Sequence, residues 1–275
     1  MYFTNKDYIN LPYHNPNSKK GDFGKVMVVG GSPDYYGSPI LTACGAEYSG
    51  ADLITLYLPK AYKNTARNYS LNFFLKSFKK NTLTVADTKE IIENSAQNHT
   101  LAIGSGIGKS KESQQAVLDI LSQISIPVVI DAEALFPEIL QIKPSNAKWV
   151  VTPHKTEYKR LFGVDFDEQG LSLLAKQYAI TVLVKGRVDY IADEIGNLFT
   201  NYTGCAEMRV GGTGDVLAGI AASFIAQGSG LHEAACAAAY YWGKCGEIIT
   251  KTRRCLTAYD TIKKFGSIVK QINET

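Results

Sequence analysis

Apolar residues along this chain fall in short continuous runs more often than in strict alternation. Lys25-Val-Met-Val-Val29, Leu53–Leu58, residues 101–103, 127–131 and 149–152 each read as a strand apolar on both faces. Helical spacing lies between them, over 39–48, with Pro39 suited to a first turn, and over 113–124, where Ala116, Leu118, Ile120 and Leu121 supply apolar faces. Residues 25–58 form one strand-helix-strand unit whose helix Gly50 stops. Doubly buried strands separated by helices predict a parallel sheet covered on both faces. Beyond residue 180 the pattern changes. Runs at 181–185, 190–192 and 198–201 stand too close together for helical crossovers, so they predict antiparallel hairpins at a sheet edge. The last third reads as helices over 216–227, 232 to about 251, and 257–272. The last carries Ile262, Phe265, Ile268, Val269 and Ile272 at helical spacing, a stripe that could pack on its own domain or on a neighbouring subunit. No linker, repeat or low-complexity tract interrupts the chain, and one domain over 1–275 is expected.

Composition narrows the class. Hydrophobic residues make up 45% and charged residues 20%, the balance of a globular protein. The net charge of +3 gives no argument for nucleic acid or for an anionic membrane, and it does not repel anionic nucleotides. The five cysteines are odd in number and lack a Cys-x-x-Cys spacing; Cys44, Cys236 and Cys245 read as small core residues. This usage suits a reduced, cytoplasmic protein. Met1 to Asp7 shows no leader pattern, and no apolar run reaches the ~20 residues of a membrane span. The four histidines, at 14, 99, 154 and 232, are too scattered to suggest a metal constellation.

Candidate chemistry collects where the strands end. In open α/β sheets, ligands bind at the carboxyl ends of strands. Gly30-Gly31-Ser32, Gly104 to Gly108, Asp131 to Leu135, Thr152 to Glu157 and Lys185-Gly186 each follow a strand-like run. One glycine loop is usually a plain turn, but five decorated strand ends are harder to dismiss. Asp131 could hold a metal-bound water or cap the next turn, the cap being the simpler reading. Lys185 could reach a nucleotide phosphate or be a surface lysine. His154 could hydrogen-bond a ligand or precede a helix beginning at Thr156 or Glu157. The densest segment is Gly211-Gly-Thr-Gly-Asp-Val-Leu-Ala-Gly219. Its glycines let amides approach an anion, and the apolar run beyond reads as a helix whose start favours negative charge. Asp215 then stands where it could take a proton from a hydroxyl; the plain alternative is a helix cap.

These segments, in this order, resemble the ADP/ATP-dependent NAD(P)H-hydrate dehydratase family, a branch of the ribokinase-like fold. The resemblance spans about residues 20 to 262 and also uses Gly21-Asp-Phe-Gly24, Gly37-Ser-Pro39, Gly50-Ala-Asp-Leu53 and Val184-Lys-Gly186. Thr152-Pro-His154 together with the Asp215 segment is its specific part. It implies a three-layer α/β/α fold with a mostly parallel central sheet and antiparallel edge strands. It implies Ser38, Gly106, Gly108, His154 and Asp215 on the hydrated dinucleotide. It implies Lys185, Gly186, Arg187, Val188, Asp189 and Gly214 on the adenine nucleotide, and Gly211, Gly212, Thr213 and Gly214 as an anion hole. Asp215 matches the family's catalytic aspartate. The chain departs from the family pattern at Ser38, where alanine is usual, at Ser105, where proline is usual, and at residues 205–210, where Arg209-Val210 is unusual.

The implied activity is dehydration of the S-epimer of hydrated NADH or NADPH. It consumes ADP or ATP with Mg²⁺ on the nucleotide phosphates and releases phosphate. A separate epimerase is expected to supply the other epimer, and a tetramer is the assembly implied by resemblance. Two alternatives stay open at this point: a ribokinase-like small-metabolite kinase of the hydroxymethylpyrimidine or thiazole type, and a non-enzymatic nucleotide sensor.

Overall fold

Strands β1 (Tyr2–Phe3), β2 (Lys25–Val29), β3 (Leu53–Leu58), β4 (Phe73–Ser77), β5 (Thr100–Ile103), β6 (Val128–Ile130), β7 (Trp149–Val151), β8 (Thr181–Val184), β9 (Asp189–Ala192) and β10 (Leu198–Asn201) form one sheet. These assignments come from a computed structural model that describes residues 2–4, 11 and 16–274. His14, Met1 and residues 5–7 of the stretch read for a leader lie outside the described residues. The spatial order is β1-β10-β9-β8-β7-β6-β5-β2-β3-β4. From β8 to β4 every pairing is parallel, while β9 runs antiparallel to both β8 and β10. The hairpin expectation for 181–201 is met, and its cause is the short connections, which leave no length for a crossover.

The helices are α1 (Gly37–Tyr48), α2 (Lys63–Arg67), α3 (Val85–Ser95), α4 (Lys111–Leu121), α5 (Glu138–Gln141), α6 (Lys155–Phe162), α7 (Glu168–Tyr178), α8 (Thr213–Ala226), α9 (Leu231–Thr250), α10 (Ala258–Ile262) and α11 (Phe265–Glu274). Successive residues of a strand point to opposite faces, so each buried strand feeds two cores. Val26, Val28, Leu56, Ala102, Val129 and Leu183 pack with α1, α8 and α9. Met27, Val29, Ile103, Ile130, Val151 and Val184 pack on the other face, with α3, α4, α6 and α7. These are the three layers expected. The 257–272 run is not one helix: it breaks after Ile262, and Phe265 restarts it as α11. Its apolar stripe, including Ile262, Phe265 and Ile268, packs into this chain's own core. Strand β4 escapes the hydrophobic pattern because it lies at the sheet edge, with Phe73 buried and Phe74 about half exposed. Among the described residues, no helix is long and apolar enough to cross a membrane.

One contact fixes the geometry of the site. Helices α1 and α8 cross where Gly45 faces the carbonyl of Val216 and Gly219 faces the carbonyl of Thr42. A Cβ on Gly219 would also sit 2.9 Å from the amide nitrogen of Ala46. The close approach sets the first two turns of α8 against residues 42–46 of α1. Gly219→Val must push the helices apart, and overpacking of this kind costs about 1–3 kcal/mol. A thermal melt should show a drop of several degrees, and an unchanged Tm would contradict tight packing at this crossing.

Candidate functional site

The five decorated strand ends belong to five adjacent strands, in the order β8-β7-β6-β5-β2, all parallel. Their loops therefore line one edge of the sheet. His154 and Lys185, beyond β7 and β8, extend the pairing as a parallel bridge.

The start of α8 faces this edge. Gly212 caps it at φ +90°, in the left-handed region that glycine occupies without steric cost. The Thr213 hydroxyl donates to the carbonyls of Met208 and Val210, each at 3.0 Å, and closes the turn. The Trp242 indole donates to the Thr213 carbonyl at 3.1 Å and holds the turn from α9. Val216 is the first residue of α8 whose amide, among the described residues, finds a main-chain acceptor, the Gly212 carbonyl. The preceding amides and the helix dipole are thus available to an anion.

Lys185 is no surface lysine. Its side chain is 18% exposed, and Nζ lies 2.7 Å from Oδ1 of Asp131, whose own side chain is 4% exposed. Glu157 Oε2 is 3.9 Å from the same ammonium. Burial alone would lower the Lys185 pKa, but Asp131, Glu157 and Asp215 together hold it above the ordinary lysine value. A Cβ on Gly214 would sit 3.2 Å from Lys185 Nζ, so the ammonium reaches the first turn of α8. The Asp131 side chain does not cap the turn that follows it. Its Oδ1 instead accepts from Lys185 and, at 2.7 Å, from the Thr152 hydroxyl. This ion pair escaped the sequence because its partners lie 54 residues apart; both standing at strand ends was the only signal.

Asp215, the third residue of α8, is the most perturbed acid here. Its pKa is pushed up to about 7, first by burial and then by repulsion from Asp131. Lys185 and hydrogen bonds from the hydroxyls of Ser105 and Ser38 pull the other way. A Cβ on Gly106 would lie 3.2 Å from Cβ of Ser38, so Ser38, Gly106 and Asp215 converge. Gly108 lies further along the same loop, beside Ser32. Two positions that depart from the family pattern, Ser38 and Ser105, therefore meet at the same carboxylate. The role of Ser105 was missed in the sequence, where its glycine-rich context suggested only a loop.

His154 caps α6. Its Nδ1 accepts from the amides of Thr156 and Glu157, each at 3.1 Å, while Glu157 Oε2 accepts from the His154 amide at 2.8 Å. The bonds to Nδ1 put the imidazole proton on Nε2. About half of the side chain is exposed, so the ring caps a helix and still faces solvent at the site.

A cleft of about 560 Å³ opens beside the α8 turn. His154, Lys185, Gly186, Arg187, Asp189 and Gly214 line it, with Arg209 and Trp242. Val188 does not. The Asp189 carboxylate accepts from the Gly186 amide at 2.9 Å and from the Asn201 side-chain amide at 3.0 Å, which folds the 186–189 turn. Burial raises its pKa to about 6. Gly211 lines a different pocket, of about 280 Å³, with Tyr36, Gly37 and Tyr69. The Gly211–Gly214 turn thus separates two pockets. Among the described residues, no group of His, Cys, Asp and Glu side chains could by itself hold a metal ion.

Comparison with known proteins gives this arrangement its class. The NAD(P)H-hydrate dehydratase family model matches residues 26–266, and the chain belongs to that family. The ADP-dependent (S)-NAD(P)H-hydrate dehydratase of Cenarchaeum symbiosum is 35% identical over 270 residues, covering 94% of this chain and 93% of the relative. The bifunctional NAD(P)H-hydrate repair enzyme Nnr of Archaeoglobus fulgidus is also 35% identical, over 90% of this chain. The chain spans about half the length of the bifunctional relatives, 51% in that case. In structure, the ADP/ATP-dependent NAD(P)H-hydrate dehydratase of Bacillus subtilis, co-crystallised with ATP and Mg²⁺, has a TM-score of 0.83. It covers 95% of this chain and 94% of its own, at 24% identity. The fold is ribokinase-like.

Proposed function

We propose that this chain dehydrates the S-epimer of hydrated NADH or NADPH at the expense of ADP or ATP. The observation that carries the reading is Asp215, held near neutrality, in the first turn of a helix that also meets the ammonium of Lys185. Hydroxide leaves carbon poorly, and phosphate leaves well. Asp215 takes the proton of the substrate hydroxyl as that oxygen attacks the terminal phosphoryl group, and AMP or ADP departs. The ring nitrogen lone pair then expels phosphate, and loss of a proton from the neighbouring carbon restores the dihydropyridine.

The residues divide the work. The 560 Å³ cleft, lined by Lys185, Gly186, Arg187, Asp189 and Gly214, takes the nucleotide. The amides of Gly211 to Gly214 receive the charge of the moving group. Ser38, Gly106 and Gly108 form the side that takes the dinucleotide, and His154 reaches it from the nucleotide cleft that its ring lines. Mg²⁺ would arrive on the nucleotide phosphates and supply charge neutralisation there. Enzymes specific for one epimer need a separate epimerase to use both, and the names of the bifunctional relatives fit such a pairing.

Incubation with hydrated NADH, Mg²⁺ and either ADP or ATP tests this. The expected result is recovery of NADH absorbance with one inorganic phosphate released per turnover. A phosphorylated organic product would instead mark a small-metabolite kinase, and nucleotide binding without turnover would mark a sensor.

A further inference from the structure

Three tyrosines gather on the Gly211 side of the α8 turn. Tyr36, Tyr69 and Tyr259 line the pocket of about 280 Å³ together with Gly37, Gly211 and Thr257. Tyr36 is 41% exposed and Tyr69 39%, so both rings keep open surface. Other rings brace them. Tyr36 stacks on Tyr62, with centroids 4.6 Å apart and 12° between the planes, and the Tyr62 hydroxyl donates to the Pro33 carbonyl at 3.0 Å. Tyr69 meets Tyr259 edge-on, at 4.9 Å and 82°. A Cβ on Gly37 or on Gly211 would meet nothing within 4 Å, so the pocket is open at both glycines. Among the described residues, no Asp, Glu, Lys or Arg lines it. Fixed aromatic walls without charge suit a flat, neutral ring and not a phosphate.

We propose that this pocket receives the purine ring of the dinucleotide substrate, while the other end of the same molecule reacts at Asp215. A cavity of this volume takes one ring system and not a whole dinucleotide. Ser38, Gly106 and Asp215 are outside its lining, so the reacting pyridine ring sits elsewhere. Gly37 precedes Ser38 directly, so the pocket opens beside the side that takes the dinucleotide. The purine of ADP or ATP has a separate place. The 560 Å³ cleft shares no lining residue with this pocket, and it meets the turn at Thr213 and Gly214 instead of Gly211. The two purines of the reaction therefore lie on opposite sides of one anion-binding turn. Binding energy from the pocket is remote from the reacting atoms and acts on KM.

The inference rests on the dehydratase reading for its ligand, and its test separates the two. Turnover is measured with hydrated NADH and with hydrated reduced nicotinamide mononucleotide, which keeps the reacting ring and lacks the adenosine. Binding of NADH and of the reduced mononucleotide, by calorimetry at saturating ADP, needs no turnover. Tyr69→Leu removes one ring. It should raise the KM for hydrated NADH and the Kd for NADH roughly ten-fold, within the worth of one stacked base. Its kcat, its values for the mononucleotides and its ADP affinity should stay parental. Tyr69→Phe, which keeps the ring, should restore NADH binding. Gly37→Leu fills the open space with every ring in place and should weaken NADH in the same way. It should melt no lower than the parent, since leucine favours the start of α1 more than glycine does. An equal loss for the mononucleotides would put the reacting ring in this pocket, and a loss of ADP affinity would put the co-substrate there. No loss for any ligand would leave the pocket outside the reaction. Each of these three results overturns the inference. If NADH binding weakens as stated while the parent protein turns over neither hydrate, the purine pocket stands and the proposed activity fails.

Discussion

Asp215→Asn is expected to fold, to melt no lower than the parent protein, and to lose about 10²–10⁴ of turnover, the usual contribution of one positioned general base. Asparagine fills the same volume and can still meet the Ser105 and Ser38 hydroxyls, but it cannot take a proton at neutral pH. The stability half follows from the shift to about 7. Between an ordinary carboxylate pKa and about 7, the unfolded chain has lost this proton and the folded chain still binds it. Stability therefore falls as pH rises through that window. The neutral variant lacks this loss, so its Tm advantage should widen from pH 5 to pH 8 in the absence of ligand. Parental turnover should rise through the same window as the base ionises. The two curves have opposite slopes and one cause. Turnover close to parental, or a Tm gap that narrows with rising pH, would remove Asp215 from the role of base.

The layers of this molecule were legible because strands buried on both faces are apolar throughout, and periodicity separates them from helices. The same reasoning placed the polar strand ends on one edge, and adjacency of β8, β7, β6, β5 and β2 made that edge contiguous. What escaped has physical reasons. Strand β4 alternates because it is an edge, and β1 is two residues long. The 257–272 stripe keeps its spacing across the break between α10 and α11, so periodicity could not reveal it. At the site, local signals gave the turn before Asp215 but not its neighbours. Asp131 and Lys185 meet only because two further strand ends bring them together, and Ser105 reaches Asp215 only because the loop after β5 folds toward α8. Reading His154 as a ligand group or as a helix start posed a false choice, since the ring caps α6 and lines the cleft at once.

Lys185→Met is expected to damage both the fold and the site, and a second substitution should separate the two. Without the ammonium, the Asp131 carboxylate keeps, among the described residues, only the Thr152 hydroxyl in a site where it is 4% exposed. Breaking a buried pair by removing one partner costs about 3–5 kcal/mol, because the other charge is left uncompensated. For a chain of this length that is a fall in Tm of roughly 6–20 °C. Asp131→Leu added to Lys185→Met removes the stranded charge and should recover most of the loss, since apolar replacements of buried pairs are often neutral or better. Nucleotide binding should not recover. The ammonium beside Gly214 meets both the cleft and the α8 turn, so ADP affinity by calorimetry should stay low in the single and the double variant alike. If ADP binds the double variant as tightly as the parent, Lys185 serves the fold alone, and phosphate recognition falls to the α8 amides, Arg187 and Arg209. If the single variant keeps its Tm, the ion pair does not support the fold. Losing Lys185 removes an attraction from the Asp215 carboxylate, so the acid limb of the pH profile should move upward.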